Sequence, residues 1–342
     1  TRKTERLAHL YRMMGRDTTE VRSAEAGDIV VVPKLDAQTG DTLSATGKVE
    51  AAAFRFPNSL YRIAIEADQR GSEDKLFTFL EKMADADPTL KVDRDEDTGQ
   101  TVISAIGEAQ VSVLLDRLES RANVGAHTVP LRIPYRETIR RTATGHGRHK
   151  KQTGGAGQFA DVRIRIEPNP DGGYEFLDEV VGGAVPRGFI PAVDKGAQET
   201  MRDGVLAGYP MIDVKVALYD GQFHPVDSNE MAFRTAARLG FQDAVSQAEA
   251  VLLEPMATLQ ITVPESYAGS IMGDISASRG RVEGMETTDK GEVSIRARAP
   301  YAEVVDYATR LRSLSRGTGE YTIEVEGYEQ VPHDVQERLA KE

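Results

Sequence analysis

The sequence contains no cysteine. That absence excludes disulfides and thiolate metal centres and fits a cytoplasmic protein. No window approaches the run of about 18 apolar residues that a membrane-spanning helix needs. The N-terminal Thr1-Arg2-Lys3-Thr4-Glu5 lacks the apolar core of a secretory signal. It also lacks an initiating Met and enters a strand-like run at once, so a trimmed fragment is expected. The phosphate-loop pattern G-x-x-x-x-G-K-[ST] is absent, which leaves no evident site for nucleotide hydrolysis. His146 and His149 lie close together, but no further Cys or His completes a zinc set.

What is present is a chain of 342 residues with ordinary apolar and charged fractions, long enough for roughly two to four domains. The net charge of −12 argues against a nucleic-acid binder until its distribution is read. Between Arg140 and Lys151 stand Arg140, Arg141, Arg148, Lys150 and Lys151 without one acid. An acidic body carrying one basic prong is repelled from RNA except at that prong. Charge alone leaves a second reading open, a solvated loop whose lysines aid solubility.

Residues 1–48 read as short strands at 6–11, 29–33 and 42–44, too little for a complete domain and similar to the closing strands of a small β-barrel. From 57 to 133 the order is clearer. A strand at 61–66 precedes a helix with Leu76, Phe79, Leu80 and Met83 on one face and Pro88 beyond its end. Strands at 91–93 and 101–106 form a hairpin, a helix carries Val111, Leu114, Leu115 and Leu118, and a last strand is expected at 129–133. This is the split β-α-β-β-α-β arrangement. The same order recurs at the C-terminus: strand 259–263, a helix with Tyr267, Ile271 and Ile275, strands 281–286 and 292–298, a helix with Val304, Ala308 and Leu311, and strand 321–326. A terminal helix is expected after Pro332. The middle segment, 134–255, is α/β: strand 162–167, helix 191–202, strand 213–219 and a long helix from Asn229. Asp227 is its candidate N-cap, and Phe233, Ala236, Ala237, Phe241, Ala244 and Ala248 form its apolar face. The basic stretch reads as a loop at 145–158; it and a second loop at 219–228 each meet a strand on the side away from the long helix.

Gly155-Ala156-Gly157-Gln158-Phe159-Ala160 fits G-x-G-x-x-A, but a dinucleotide loop follows a strand and opens a helix. Here a strand follows instead. These glycines permit close backbone approach to a bulky anion beside Lys150 and Lys151; a plain hairpin turn is the alternative. Asp93 to Gly99 hints at a calcium loop, yet its Gly comes one place late and its twelfth position is Ser104 rather than Glu, which favours a solvated turn. His224 has no Ser–Asp constellation at catalytic spacing and reads better as a partner-contacting tip residue than as a general base. Neither sandwich carries the aromatic strand motif of RNA-stacking sheets, so both read as scaffolds.

Several long runs, in order, resemble elongation factor G: Gly40-Asp41-Thr42-Leu43, Tyr135-Arg136-Glu137-Thr138-Ile139, Gln152-Thr153-Gly154-Gly155-Ala156-Gly157-Gln158-Phe159, Leu218-Tyr219-Asp220-Gly221, Val226-Asp227-Ser228-Asn229-Glu230-Met231-Ala232-Phe233, Leu253-Glu254-Pro255-Met256 and Gly317-Thr318-Gly319. The resemblance implies an α+β multidomain chain. Residues 1–50 would end a domain II β-barrel, and 57–133 would form a ferredoxin-like domain III. Residues 134–255 would form a domain IV like domain 2 of ribosomal protein S5, and 256–342 a ferredoxin-like domain V with a C-terminal helix. It further implies a GTP-binding domain upstream, holding GTP and Mg, with no cofactor and no metal in this chain. The implied partners are the ribosome, at the small-subunit decoding region and the large-subunit GTPase centre, and tRNA with mRNA. The implied protein is a cytoplasmic monomer that touches no membrane and promotes translocation. By motif match the RNA-contacting residues are Arg148, His149, Lys150, Lys151, Gly154, Gly155, Ala156, Gly157 and Gln158 on one side, and Gln222, His224 and Asp227 on the second loop. Arg279 and Arg281 join them from domain V.

Ala156 stands where the family usually has a basic residue or His. Gly107-Glu108-Ala109-Gln110 replaces a common Gly-Glu-Leu-His run, and the spelling Gly147-Arg148-His149-Lys150-Lys151 is closer to the family's divergent second-copy members. Two other functions therefore stay open: a paralogue for ribosome recycling or antibiotic protection, and a stand-alone phosphotransferase using the Gly-rich loop.

Overall fold

The computed structural model describes residues 4, 6–45, 49, 51–52, 54, 56–152, 157–288 and 291–341. They fall into two compact units, Thr1–Leu131 and Arg132–Glu342.

In the first unit, β1 (Leu10–Met14) and β2 (Asp17–Val21) form an antiparallel hairpin, with a single bridge from Tyr11 to Val31. Gly15 turns it at a φ of +62°, a backbone state that costs glycine little. This corrects the expected strands at 6–11, 29–33 and 42–44. The second hairpin strand, Asp-Thr-Thr-Glu-Val, has no apolar alternation to betray it, and no closed barrel forms among the described residues. The rest of the unit follows the expected order: β3 (Tyr61–Ala67), α1 (Glu73–Ala86), β4 (Lys91–Arg94), β5 (Thr101–Ala105), α2 (Glu108–Ala122) and β6 (Ala126–Val129). The antiparallel sheet runs β4-β5-β3-β6, and Ile65, Leu76, Leu80, Ile103, Leu114 and Leu118 fill the space under both helices. The last strand sits at 126–129, not 129–133. Asn123, at a φ of +50°, closes α2 by returning its N–H to the Glu119 carbonyl and turns the chain at once. Pro130, without an N–H, ends the ladder.

The second unit begins with β7 (Arg136–Ile139), β8 (Ala143–Lys151), β9 (Gln158–Pro168), β10 (Tyr174–Asp178), α3 (Ile190–Asp203), β11 (Val214–Gln222) and α4 (Glu230–Gln247). The sheet order is β10-β11-β9-β8, parallel only between β10 and β11, whose crossover is α3. Both helices cover one face, where Val162, Ile164, Ile166, Val216 and Leu218 meet Phe233 and Phe241. The long helix starts as expected, but its N-cap is Asn229, whose side chain accepts the Ala232 N–H at 2.9 Å; Asp227 is not the cap. The Asx carbonyl must sit immediately before the first helical residue to reach the third N–H, and Asp227 lies two places too early.

The basic stretch is a strand rather than a loop. β8 pairs with β9 along its whole length, from Ala143 opposite Ile166 to Lys151 opposite Gln158. Glycine explains both the strand and why periodicity missed it. Gly145 and Gly147 point at α4, and a Cβ on either would strike helix backbone at Ala236, Gly240 or Ala244. The inward positions 145 and 147 therefore carry no apolar side chain.

The unit closes with β12 (Ala250–Pro264), α5 (Ala268–Ala277), β13 (Arg281–Thr287), β14 (Glu292–Pro300), α6 (Tyr301–Val304), α7 (Tyr307–Leu314), β15 (Glu320–Gln330) and α8 (His333–Leu339). The sheet runs β13-β14-β12-β15, the same topology as in the first unit. The single helix expected around Val304 to Leu311 breaks after α6, and the break carries Tyr307 into the core against Tyr321. β12 is three times the expected length. Its start pairs with β7, from Ala250 opposite Ile139 to Leu253 opposite Arg136, before its remainder pairs with β14 and β15. Pro255 lies inside this strand at a register shift against β15, whose Gly327 has a φ of +68°; the bulge absorbs the residue that cannot donate.

Candidate nucleic-acid interface

β8, β9 and β11 all run to one end of the middle sheet, where Lys151 faces Gln158 and Gln222 faces Asp161. The opposite end is the junction with β12. At about 3.3 Å per residue, the length of β11 separates the two ends by roughly 25 Å. The far end is the tip, and hydrogen bonds tie its two connections together. Phe159 N–H donates to the Asp227 carbonyl at 2.9 Å, and the Ser228 hydroxyl donates to the Phe159 carbonyl at 2.7 Å. His224 N–H donates to Ser228 Oγ at 2.8 Å. Gly157 has no side chain because the Asp227 carboxylate fills the place of its Cβ.

Register sorts the side chains by face. Residues of β8 with even numbers stand on the face away from α4, opposite the odd-numbered residues of β9. There His146 Nε2 meets Asp161 Oδ1 at 2.9 Å, and Arg148 lies 3.7 Å from the same carboxylate and 5.6 Å over the Phe159 ring. Lys150 is directly across from Phe159, whose ring meets that of His224 edge-on at 6.4 Å. His149 lies on the opposite face, its Nε2 2.8 Å from Gln158 Oε1. Three residues apart on a strand, His146 and His149 cannot chelate one ion. His224 Nδ1 accepts from the Val226 and Asp227 N–H groups at 3.3 and 3.2 Å, which leaves the proton of the neutral ring on Nε2.

Charge on the outer face is unevenly neutralised. Toward the junction, Arg165 grips Glu179 through two bonds and holds its carboxyl below the ordinary glutamate range. Lys215 pairs with Glu175 at 2.9 Å, and Arg163 stands 3.9 Å from Asp220. At the tip, Lys150 and Lys151 have no carboxylate within ion-pair distance among the described residues. The uncompensated positive charge therefore lies where the two loops meet.

The structure gathers Arg148, His149, Lys150, Lys151, Gly157, Gln158, Gln222, His224 and Asp227 at this end. Gly154, Gly155 and Ala156 lie outside the described residues. Arg279 and Arg281 belong to the C-terminal sheet. Arg279, in a left-handed conformation after α5, makes two bonds of 2.6 and 2.7 Å to the buried Glu254 carboxylate and a third to Glu303, so its guanidinium braces this unit internally. Arg281 is exposed and lies 3.6 Å from Glu329. Sequence reading overlooked Phe159, Phe223 and Ser228; the clue was that each stands beside a residue already singled out. The Asp93–Gly99 segment is a turn in which Asp95 Oδ1 accepts the Thr98 N–H at 2.8 Å. No helix among the described residues is long and apolar enough to cross a membrane.

Three family models match the chain: "Elongation Factor G, domain III" over residues 56–130, "Elongation factor G, domain IV" over 131–249 and "Elongation factor G C-terminus" over 251–339. An elongation factor G-like protein of Thermotoga maritima is 41% identical over 342 residues, covering 99% of this chain and 50% of that protein. A crystal structure of a Thermus thermophilus protein is 36% identical, with a TM-score of 0.79, and the match covers 98% of this chain and 51% of that one. The chain thus spans about half the length of the relatives it matches.

Proposed function

Because the chain belongs to the elongation factor G family, we propose that its middle domain is an RNA-engaging prong of a translational GTPase, entering the decoding region of the ribosome and promoting movement of tRNA and mRNA. The observation that carries this reading is the pair Lys150 and Lys151, without acidic partners among the described residues at the end of a sheet where Arg163, Arg165 and Lys215 are paired. Arg148, His149, Gln158, Gln222, His224 and Asp227 share that end and form the rest of the contact surface, completed by Gly154, Gly155, Ala156 and Gly157. Arg281 is an exposed cation of the C-terminal sheet for the large-subunit contact, and Arg279 shapes the loop that presents it.

On this reading the nucleotide chemistry, with GTP and Mg, belongs to another domain of the full-length protein. The full protein acts in the cytoplasm as a monomer. Hydrolysis there reorients rigid bodies, and this chain converts the reorientation into displacement at the tip. The test is charge reversal, Lys150→Glu with Lys151→Glu, in the full-length protein. Ribosome affinity falls, and the slope of log affinity against log salt drops by about 2, one per lost phosphate contact. An unchanged slope sinks the assignment.

The identity to a protein described only as elongation factor G-like supports a second reading, a paralogue for recycling or protection. GTP turnover on ribosomes without tRNA movement selects it.

A further inference from the structure

Phe223 takes no part in the reading above. It sits immediately beyond β11, 43% exposed, with no ring or cation contact among the described residues. Val226 in the same loop is 84% exposed. A phenylalanine brings a large apolar area, and a protein that leaves one uncovered forgoes its burial. The loop that carries it is held rigidly. His224, Ser228, Asp227 and Phe159 close a ring of backbone and side-chain bonds across its base, and the His224 imidazole accepts two N–H groups of its far limb. The half-exposed Phe223 side chain therefore sits on a braced loop, with little ordering left to lose on binding.

Its neighbours decide what it is offered to. Gln222, the residue before it, is in register with Asp161, and the same β9 strand sets Lys150 opposite Phe159 and Lys151 opposite Gln158. A half-exposed aromatic ring and two cations with no acidic partner among the described residues thus share one end of one sheet. An acid-poor, apolar protein surface would satisfy the ring and leave the lysines unmatched. An unpaired nucleotide satisfies both, presenting a π-face to the ring and phosphates to the ammonium groups.

We infer that Phe223 is a nucleobase-stacking residue for an unpaired RNA nucleotide, with Lys150 and Lys151 as the adjoining phosphate contacts. This rests on the assignment of the tip as an RNA-engaging surface and names how that surface grips. The test titrates the full-length protein against salt-washed ribosomes. Phe223→Ala weakens binding roughly tenfold while the salt slope stays that of the parent, because a neutral contact releases no counterions. Phe223→Trp retains affinity, and Phe223→Leu behaves like alanine. A photo-reactive phenylalanine analogue at 223 cross-links to RNA. Leucine as good as tryptophan, all variants within twofold of the parent, or cross-links to ribosomal protein alone would each overturn the inference. The Lys150→Glu, Lys151→Glu double change separates the two claims. If it lowers the slope while Phe223 proves neutral, the RNA surface stands and stacking falls. If it leaves the slope alone, the surface itself is wrong.

Discussion

The chain builds one small sandwich twice, and the two copies differ in their first strand. In the first copy β3 has seven residues and pairs only with strands of its own sheet. In the second, β12 has fifteen, and its leading residues run past the core strands to bring β7 of the middle domain into the same sheet. The extension is sealed from both sides. Leu252 is fully buried with Tyr135, Val331 and Val335, and its N–H donates to the Gln336 side chain of α8 at 3.0 Å. Directly opposite Leu252 on β7, the buried Glu137 carboxylate accepts N–H groups of Val205, Leu206, Ala207 and Tyr209 at 2.7 to 3.1 Å. A shared topology therefore serves two purposes: the first copy is closed on itself, and the second is continuous with the prong that it carries.

The strongest challenge to that contrast is Glu137→Ala, which orphans four N–H groups in a water-poor site and destabilises the second unit by about 4 kcal/mol. Urea unfolding checks it, and a first-unit transition that also moves would break the comparison. Leu252→Ala costs about 3 kcal/mol through a buried cavity. Amide exchange reads it more sharply: protection falls in β7 and β11 as well as in β12, whereas loss confined to the C-terminal sheet would deny continuity. Arg279→Gly, which keeps the left-handed backbone unstrained, leaves Glu254 buried without its partner and costs about 2 kcal/mol, a buried-pair value discounted for the partly open arginine. Combining it with Glu254→Gln costs less than the sum.

The smallest effect belongs to the closed copy. Thr89 donates to Asp87 at 2.6 Å and holds its carboxyl below the ordinary aspartate range, helped by Gln110. A depressed value means this contribution is complete above the ordinary aspartate pKa and is lost as pH falls through the depressed one. Asp87→Asn therefore flattens the acid limb of first-unit stability, measured by urea midpoints between pH 7 and pH 3, and leaves the second unit's limb in place.

Apolar periodicity revealed both sandwiches because their helices repeat apolar residues at core spacing, Leu76, Leu80 and Leu114, Leu118 in the first and Ile271, Ile275 in the second, and it located α4 within one residue. It failed where burial is not achieved by apolar side chains. β8 buries glycine backbone against a helix, and so its basic lettering passed for a loop. β12 was cut short because Glu254-Pro255 resembles a break; the glutamate is neutralised by an arginine 25 positions on, and the proline is absorbed by a bulge in a strand 73 positions on. The grouping of the two tip loops was legible only by family resemblance. Nothing local to residues 157–159 announces the bonds to 227 and 228.

The strand β8 is written in two alphabets. Its inward letters are fixed, because Gly145 and Gly147 lie flush on α4 and any addition there would lift the strand from its helix. Its outward letters, at 146, 148 and 150, meet solvent and cross-strand neighbours alone. A lineage can therefore reset the charge at 150 with little cost to the frame beneath it, whereas 146 and 148 also answer to the buried Asp161. Changes of grip should accumulate at 150 and 151, while Gly145 and Gly147 stay silent.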